Sequence, residues 1–80
     1  MKEEVLELLI KKISELTEKD AASLSESTNL KTEIVLKSIE IAAITAMLEE
    51  EYDSYVKYTV LMHAQTIGEM ADAAVSEIEG

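Results

Sequence analysis

Apolar residues return along this chain at intervals of three and four, and three stretches carry the pattern cleanly enough to predict α-helices. Across residues 2 to about 16, Leu6, Leu9, Ile10, Ile13 and Leu16 recur at helical spacing with Val5 beside them. Glu7, Lys11, Lys12 and Glu15 take the other side, and early acids with later lysines suit the helix dipole. From Ser38 to about Tyr52–Ser54, Ile41, Ile44, Leu48 and Tyr52 fall on one face at about 100° per residue. The third stretch runs from Ile67 to about Ile78 and buries Ile67, Met70, Ala71, Ala74, Val75 and Ile78. Thr66 before it, with Glu69 three residues later, has the form of a capping box.

Two segments break the pattern. Between Thr17 and Lys37 the residues Ser23, Ser25, Ser27, Thr28 and Asn29 favour turns, because their side chains compete for backbone hydrogen bonds. Leu24, Leu30, Ile34 and Leu36 recur through the same segment and predict a long loop pinned to the core, with a short helical turn near Asp20–Leu24. Loops of this length are uncommon in compact domains and usually serve a purpose. Residues 57–63 are ambiguous, since β-branched and aromatic residues suit a strand, but no second strand exists to pair with one. A short helix around Thr59–Met62 is the better reading. The expected fold class is all-α: a small four-helix bundle with a long first loop and a short third helix, forming one domain over residues 1–80.

The second helix holds more apolar surface than one buried stripe needs. Ile39, Ala42, Ala43 and Ala46 form a second stripe on the same side as Ser38. A small domain cannot bury a whole helix circumference, so this stripe is expected to be exposed. Exposed apolar surface rimmed by charge marks a docking face. Ser38 itself reads two ways, as a reactive hydroxyl beside that face or as a plain N-cap, serine being among the commonest of caps.

Charge changes the picture of partners. Seventeen acidic residues against seven lysines and no arginine give a net charge of −10. Nucleic acid is excluded as a partner, because affinity for it comes from neutralising phosphates with Lys and Arg. Basic protein surfaces are attracted instead, through fast and salt-sensitive encounter. No apolar run approaches the roughly 20 residues that span a bilayer, so no membrane insertion is expected. With no signal-peptide pattern at the start, a cytoplasmic monomer is the expectation.

Candidate chemistry is sparse. The chain has no cysteine, and its one histidine, His63, has no visible nucleophilic partner. Gly68 and Gly80 are the only glycines, so no phosphate-cradling loop exists. Glu49, Glu50, Glu51 and Asp53 do not have the spacing of a calcium-binding loop. They read as a solvated helix end, as a weak divalent-cation site or as a recognition patch for a basic partner. No catalytic residue and no defined metal site emerge, and the protein is not expected to be an enzyme.

The order of landmarks resembles the acyl carrier protein family over essentially the whole chain. Lys37-Ser38-Ile39 opens the second helix where that family has Asp-Ser-Leu. Leu48-Glu49-Glu50-Glu51-Tyr52-Asp53 is similar to its Leu-Glu-Glu-Glu-Phe-Asp segment, and Thr66-Ile67-Gly68-Glu69-Met70 to the opening of its last helix. The resemblance implies that Ser38 carries 4'-phosphopantetheine through a phosphodiester, with acyl groups held on the arm's thiol. It implies a phosphopantetheinyl transferase and acyl-transferring or acyl-modifying enzymes with basic docking patches as partners. Lys37, Ile39, Glu40, Ala42, Ala46, Glu49 and Glu50 would then contact partners. Ile44, Leu48, Leu61, Met62 and Met70 are the candidate lining of an acyl-chain pocket. Lys37 in place of Asp, Val35 in place of Gly, Ala43 in place of an acid and an apolar third helix resemble a specialised member with a dedicated partner set. Fatty acid, lipid or polyketide-type biosynthesis is the expected setting. The alternatives are an aminoacyl or peptidyl carrier, or an unmodified acidic helical interaction module.

Overall fold

A computed structural model describes all residues from Met1 to Gly80. Its helices are α1 (Lys2–Thr17), α2 (Ser38–Tyr52), α3 (Tyr58–Met62) and α4 (Ile67–Glu79), with one 3-10 turn at Ala21–Ser23. All four expected helices are present, and the 3-10 turn falls where a helical turn was predicted near Asp20–Leu24. Asp20 starts that turn by accepting the Ala22 N–H at 3.0 Å through its side chain. Residues 57–63 are helical, as their lack of a pairing strand required. α3 begins one residue earlier than expected, the Lys57 N–H before it being held by Glu77 Oε1 at 3.2 Å.

α1 packs mainly on α4, and α2 mainly on α3. Val5, Leu9 and Ile13 are fully buried, whereas Leu6, Ile10 and Leu16 sit half-buried at the edges of the same stripe. In α4, Ile67, Met70, Ala71 and Ala74 are buried, while Val75 and Ile78 stay partly exposed at the edge of the core. The core is wholly aliphatic apart from Met70, and its largest members include Leu9, Ile13, Ile44, Leu48, Leu61 and Ile67.

The long loop is a strap with its own hydrogen-bond accounting. Leu24, Leu30 and Ile34 are buried, and Leu36 is half-buried. Asn29 Oδ1 accepts from Lys31 N and Thr32 N, Glu33 Oε2 accepts from Asn29 N, and a tight turn results. The strap then satisfies donors that a helix start leaves orphaned. Ile67 N–H donates to Thr28 O at 3.1 Å, Gly68 N–H to Glu26 O at 2.8 Å, and Glu69 N–H to Thr66 Oγ1 at 3.1 Å. Glu69 does not close the predicted capping box. Its Oε1 accepts from Gln65 N at 2.9 Å, one residue earlier than a capping box requires.

Tyr52 ties the end of α2 to the start of α1, its OH donating to Glu4 Oε1 at 2.9 Å. Partial burial, then that hydrogen bond and the nearby carboxylates of Glu4 and Glu51, push the phenol up to about 12. A raised acid keeps its contribution below its ordinary value near 10 and loses it as pH climbs through about 12. Stability is therefore expected to fall between pH 10 and 12. Tyr52→Phe should shallow that decline in denaturant titrations and remove the late component of the tyrosine absorbance titration. An unchanged alkaline profile in Tyr52→Phe would place the loss elsewhere.

Candidate functional site

The start of α2 differs from the capping expectation. Lys37, with φ −81° and ψ 160°, is the N-cap residue, and Ser38 is the first residue of the helix. Glu40 Oε1 accepts the Lys37 N–H at 2.7 Å, reaching back from the third helical position. A lysine side chain has no acceptor, so the reciprocal half of a capping box is impossible and the cap rests on Glu40. Ser38 does not cap the helix. Its hydroxyl is exposed and makes no hydrogen bond, and neither Ser38 N–H nor Ile39 N–H has a protein acceptor.

An apolar cavity of about 60 Å³ lies between the loop, the start of α2 and α3. Leu30, Val35 and Leu36 come from the loop, Ile41 from α2, Leu61, Met62 and Ala64 from α3 and its exit, and Met70 from α4. Lys31 is the one polar wall, and its Nζ donates to Met62 O at 3.0 Å, closing the loop against the end of α3. Leu61, Met62 and Met70 thus stand where the sequence reading put an apolar lining. Ile44 and Leu48 do not: both are fully buried core and touch no part of the cavity. Ile41 shares the periodic face of α2, but Leu30, Lys31, Val35 and Leu36 come from the loop, and a loop wall is assembled by folding and not by helical spacing.

The outer face of α2 presents the second stripe. Ile39 is 77 % exposed, and Ala42 and Ala46 are exposed, but Ala43 is half-buried against α1. There it borders an open groove of about 380 Å³ with Lys12, Ala46, Met47, Glu50 and Glu51. Two of the expected steering carboxylates have internal duties. Glu40 holds the cap, and Glu49 Oε2 accepts the Val56 N–H at 2.9 Å, anchoring the turn after α2. Glu50 is exposed and unengaged, as is Glu51. No group of three carboxylates or imidazoles is placed to hold a metal ion. His63 is exposed at the end of α3.

A family model described as phosphopantetheine attachment site matches residues 7–74. The chain belongs to that family. It is a carrier domain, the site of covalent 4'-phosphopantetheine attachment, and carriers of this kind interact with a phosphopantetheinyl transferase and with acyl-handling enzymes. No curated protein and no solved structure matches the chain. No helix of the carrier is long and apolar enough to cross a membrane.

The residues around the start of α2 fit the group. An exposed hydroxyl is open to esterification, and two unpaired N–H groups at a helix start favour a phosphodiester's negative charge. Among the serines of the matched span, the hydroxyls of Ser14, Ser23, Ser25, Ser27 and Ser54 are all engaged in hydrogen bonds. Ser38 alone has a free one.

Proposed function

We propose that Ser38 takes the phosphopantetheine and that the carrier presents apolar acyl intermediates of fatty acid, lipid or polyketide-type biosynthesis to partner enzymes. The observation that carries this reading is the free, exposed hydroxyl of Ser38, unique among the serines of the matched span and lying along the chain between Leu36 and Ile41, which line an apolar cavity. When attached, the arm supplies a terminal thiol that holds an acyl group as a thioester. Ser38 Oγ would form the new bond to the phosphorus of coenzyme A's pantetheine phosphate, releasing 3',5'-ADP and giving its proton to the transferase.

Docking falls to the outer face of α2. Ile39, Ala42 and Ala46 offer apolar contact, and Glu50 offers a free carboxylate to a basic patch, while Glu40 and Glu49 keep one oxygen each for it. This binding raises effective concentration by tethering the substrate, and the domain needs no catalytic group of its own.

An apolar load is favoured by the cavity, whose walls are apolar except for Lys31. An aminoacyl ammonium would lose hydration there without a carboxylate to meet it. The cavity of about 60 Å³ is small, so Met62 and Met70 must move to admit a longer chain. Each methylene sheltered stabilises the fold by about 0.8 kcal/mol. The carrier should be incubated with coenzyme A and a phosphopantetheinyl transferase, with the modified peptide identified by mass. Acyl forms of increasing chain length should then unfold at rising temperatures, with the first steps the largest. A flat series would speak for an aminoacyl or other polar load. Failure of several transferases to modify the chain would speak against Ser38 as the attachment point.

A further inference from the structure

Lys37 has the wrong sign for its position. It is exposed at the N-cap of α2, where the helix dipole disfavours a cation; Lys57 at the N-cap of α3 has the same sign, but that helix has only 5 residues and a small dipole. Nothing within the protein compensates. The one ion pair of the fold joins Lys2 to Asp72, and the Lys37 side chain makes no hydrogen bond. The nearest acid on its own helix, Glu40, spends its contact on the Lys37 backbone N–H and not on the ammonium. An isolated N-cap lysine costs stability and gains no partner, and such uncompensated choices concentrate at functional sites.

The partner arrives with the modification. We infer that Lys37 is the counter-ion of the phosphodiester on Ser38, an inference that rests on Ser38 being the attachment point. A phosphodiester carries one negative charge at the residue next to Lys37, beside the unpaired N–H groups of Ser38 and Ile39. Modification therefore reverses the sign of the Lys37 contribution, from a cation facing a positive helix end to a cation sharing an anion with it. The net charge of −10 works against a further anion, most of all at low salt, and Lys37 adds to the helix start's N–H groups in offsetting that repulsion. Lys37 is thus a positioning residue for the root of the arm, and it makes the holo form the better-satisfied state of the α2 start.

The test compares apo and holo forms of the native chain, Lys37→Gln and Lys37→Arg, each loaded from coenzyme A and verified by intact mass. At low salt the native chain should be stabilised by modification, and the gain should shrink as salt is added. Lys37→Gln should make the apo form slightly more stable while lowering the holo-to-apo ratio of folding constants about two- to fivefold, the range of an exposed charge interaction. Lys37→Arg should keep the native ratio. The inference is overturned if modification destabilises the native chain at low salt, or if native and Lys37→Gln chains show equal holo–apo differences. Uptake at a residue other than Ser38, or no uptake in the native chain, would overturn the attachment assignment along with it. Lys37→Met, which also removes the charge, should reproduce the Lys37→Gln ratio, and a native ratio in Lys37→Met would overturn the inference.

Discussion

Ser38→Ala is expected to abolish phosphopantetheine uptake while leaving the fold intact. Ser38 is exposed, its hydroxyl has no partner, and the cap of α2 is made by Glu40 on the Lys37 N–H. Alanine is at least as good as serine in a helix, so the change in stability should stay within about 0.5 kcal/mol. Had Ser38 been the N-cap, its loss would have cost about 1 kcal/mol, which makes the stability measurement an independent check of the geometry. Intact mass after exposure to coenzyme A and transferase reads the first outcome, and a denaturant titration the second. Residual uptake in Ser38→Ala would move the attachment to another hydroxyl. Each other serine of the matched span would have to give up a hydrogen bond to serve.

Gly68→Ala should destabilise the chain by about 1–3 kcal/mol, the reverse of the usual result for a glycine inside a helix. The ordinary gain, roughly 0.5–1 kcal/mol, comes from entropy and assumes open space at the new Cβ. Here that Cβ would lie 2.9 Å from Glu26 O and 3.1 Å from Glu26 Cβ. The obstacle is backbone, so it cannot swing aside. Relief would require lifting the strap, which stretches the Gly68 N–H to Glu26 O bond of 2.8 Å and the neighbouring Ile67 N–H to Thr28 O bond. Losing such bonds costs about 1 kcal/mol each. The same strap carries Leu30 into the cavity wall, so Gly68→Ala should also blunt the chain-length dependence of acyl stabilisation. A stabilised Gly68→Ala protein would show that the loop yields freely at this contact.

Both outcomes separate what periodicity reveals from what packing decides. The helices were legible because each buries one stripe: Val5, Leu9 and Ile13 in α1, Ile41, Ile44 and Leu48 in α2, and Ile67, Met70 and Ala74 in α4 all fall at helical spacing. The surplus stripe of Ile39, Ala42 and Ala46 was legible for the same reason, as apolar residues with no face left to bury. Ala43 misled because helical angle alone does not tell which flank a neighbouring helix approaches, and Ala43 is half-buried beside a groove it shares with Lys12 of α1. Ile44 and Leu48 are more instructive, lying in the fully buried core and not on the cavity wall. Apolar character and helical facing describe core and cavity wall alike, and only the position of neighbours distinguishes them.

By itself, the order of residues determined the four helices, the acidic surface, the poverty of catalytic groups and the landmarks of a carrier domain. These depend on local spacing and on charge, which are properties of the chain before it folds. Tertiary structure alone decided that Lys37 and not Ser38 stands at the N-cap, that Glu40 and Glu49 are partly consumed by backbone N–H groups, and that the loop walls the cavity and serves the start of α4. Each of these is a question of which donor meets which acceptor. The answer depends on segments far apart in sequence being brought within hydrogen-bond distance, and no local pattern encodes that.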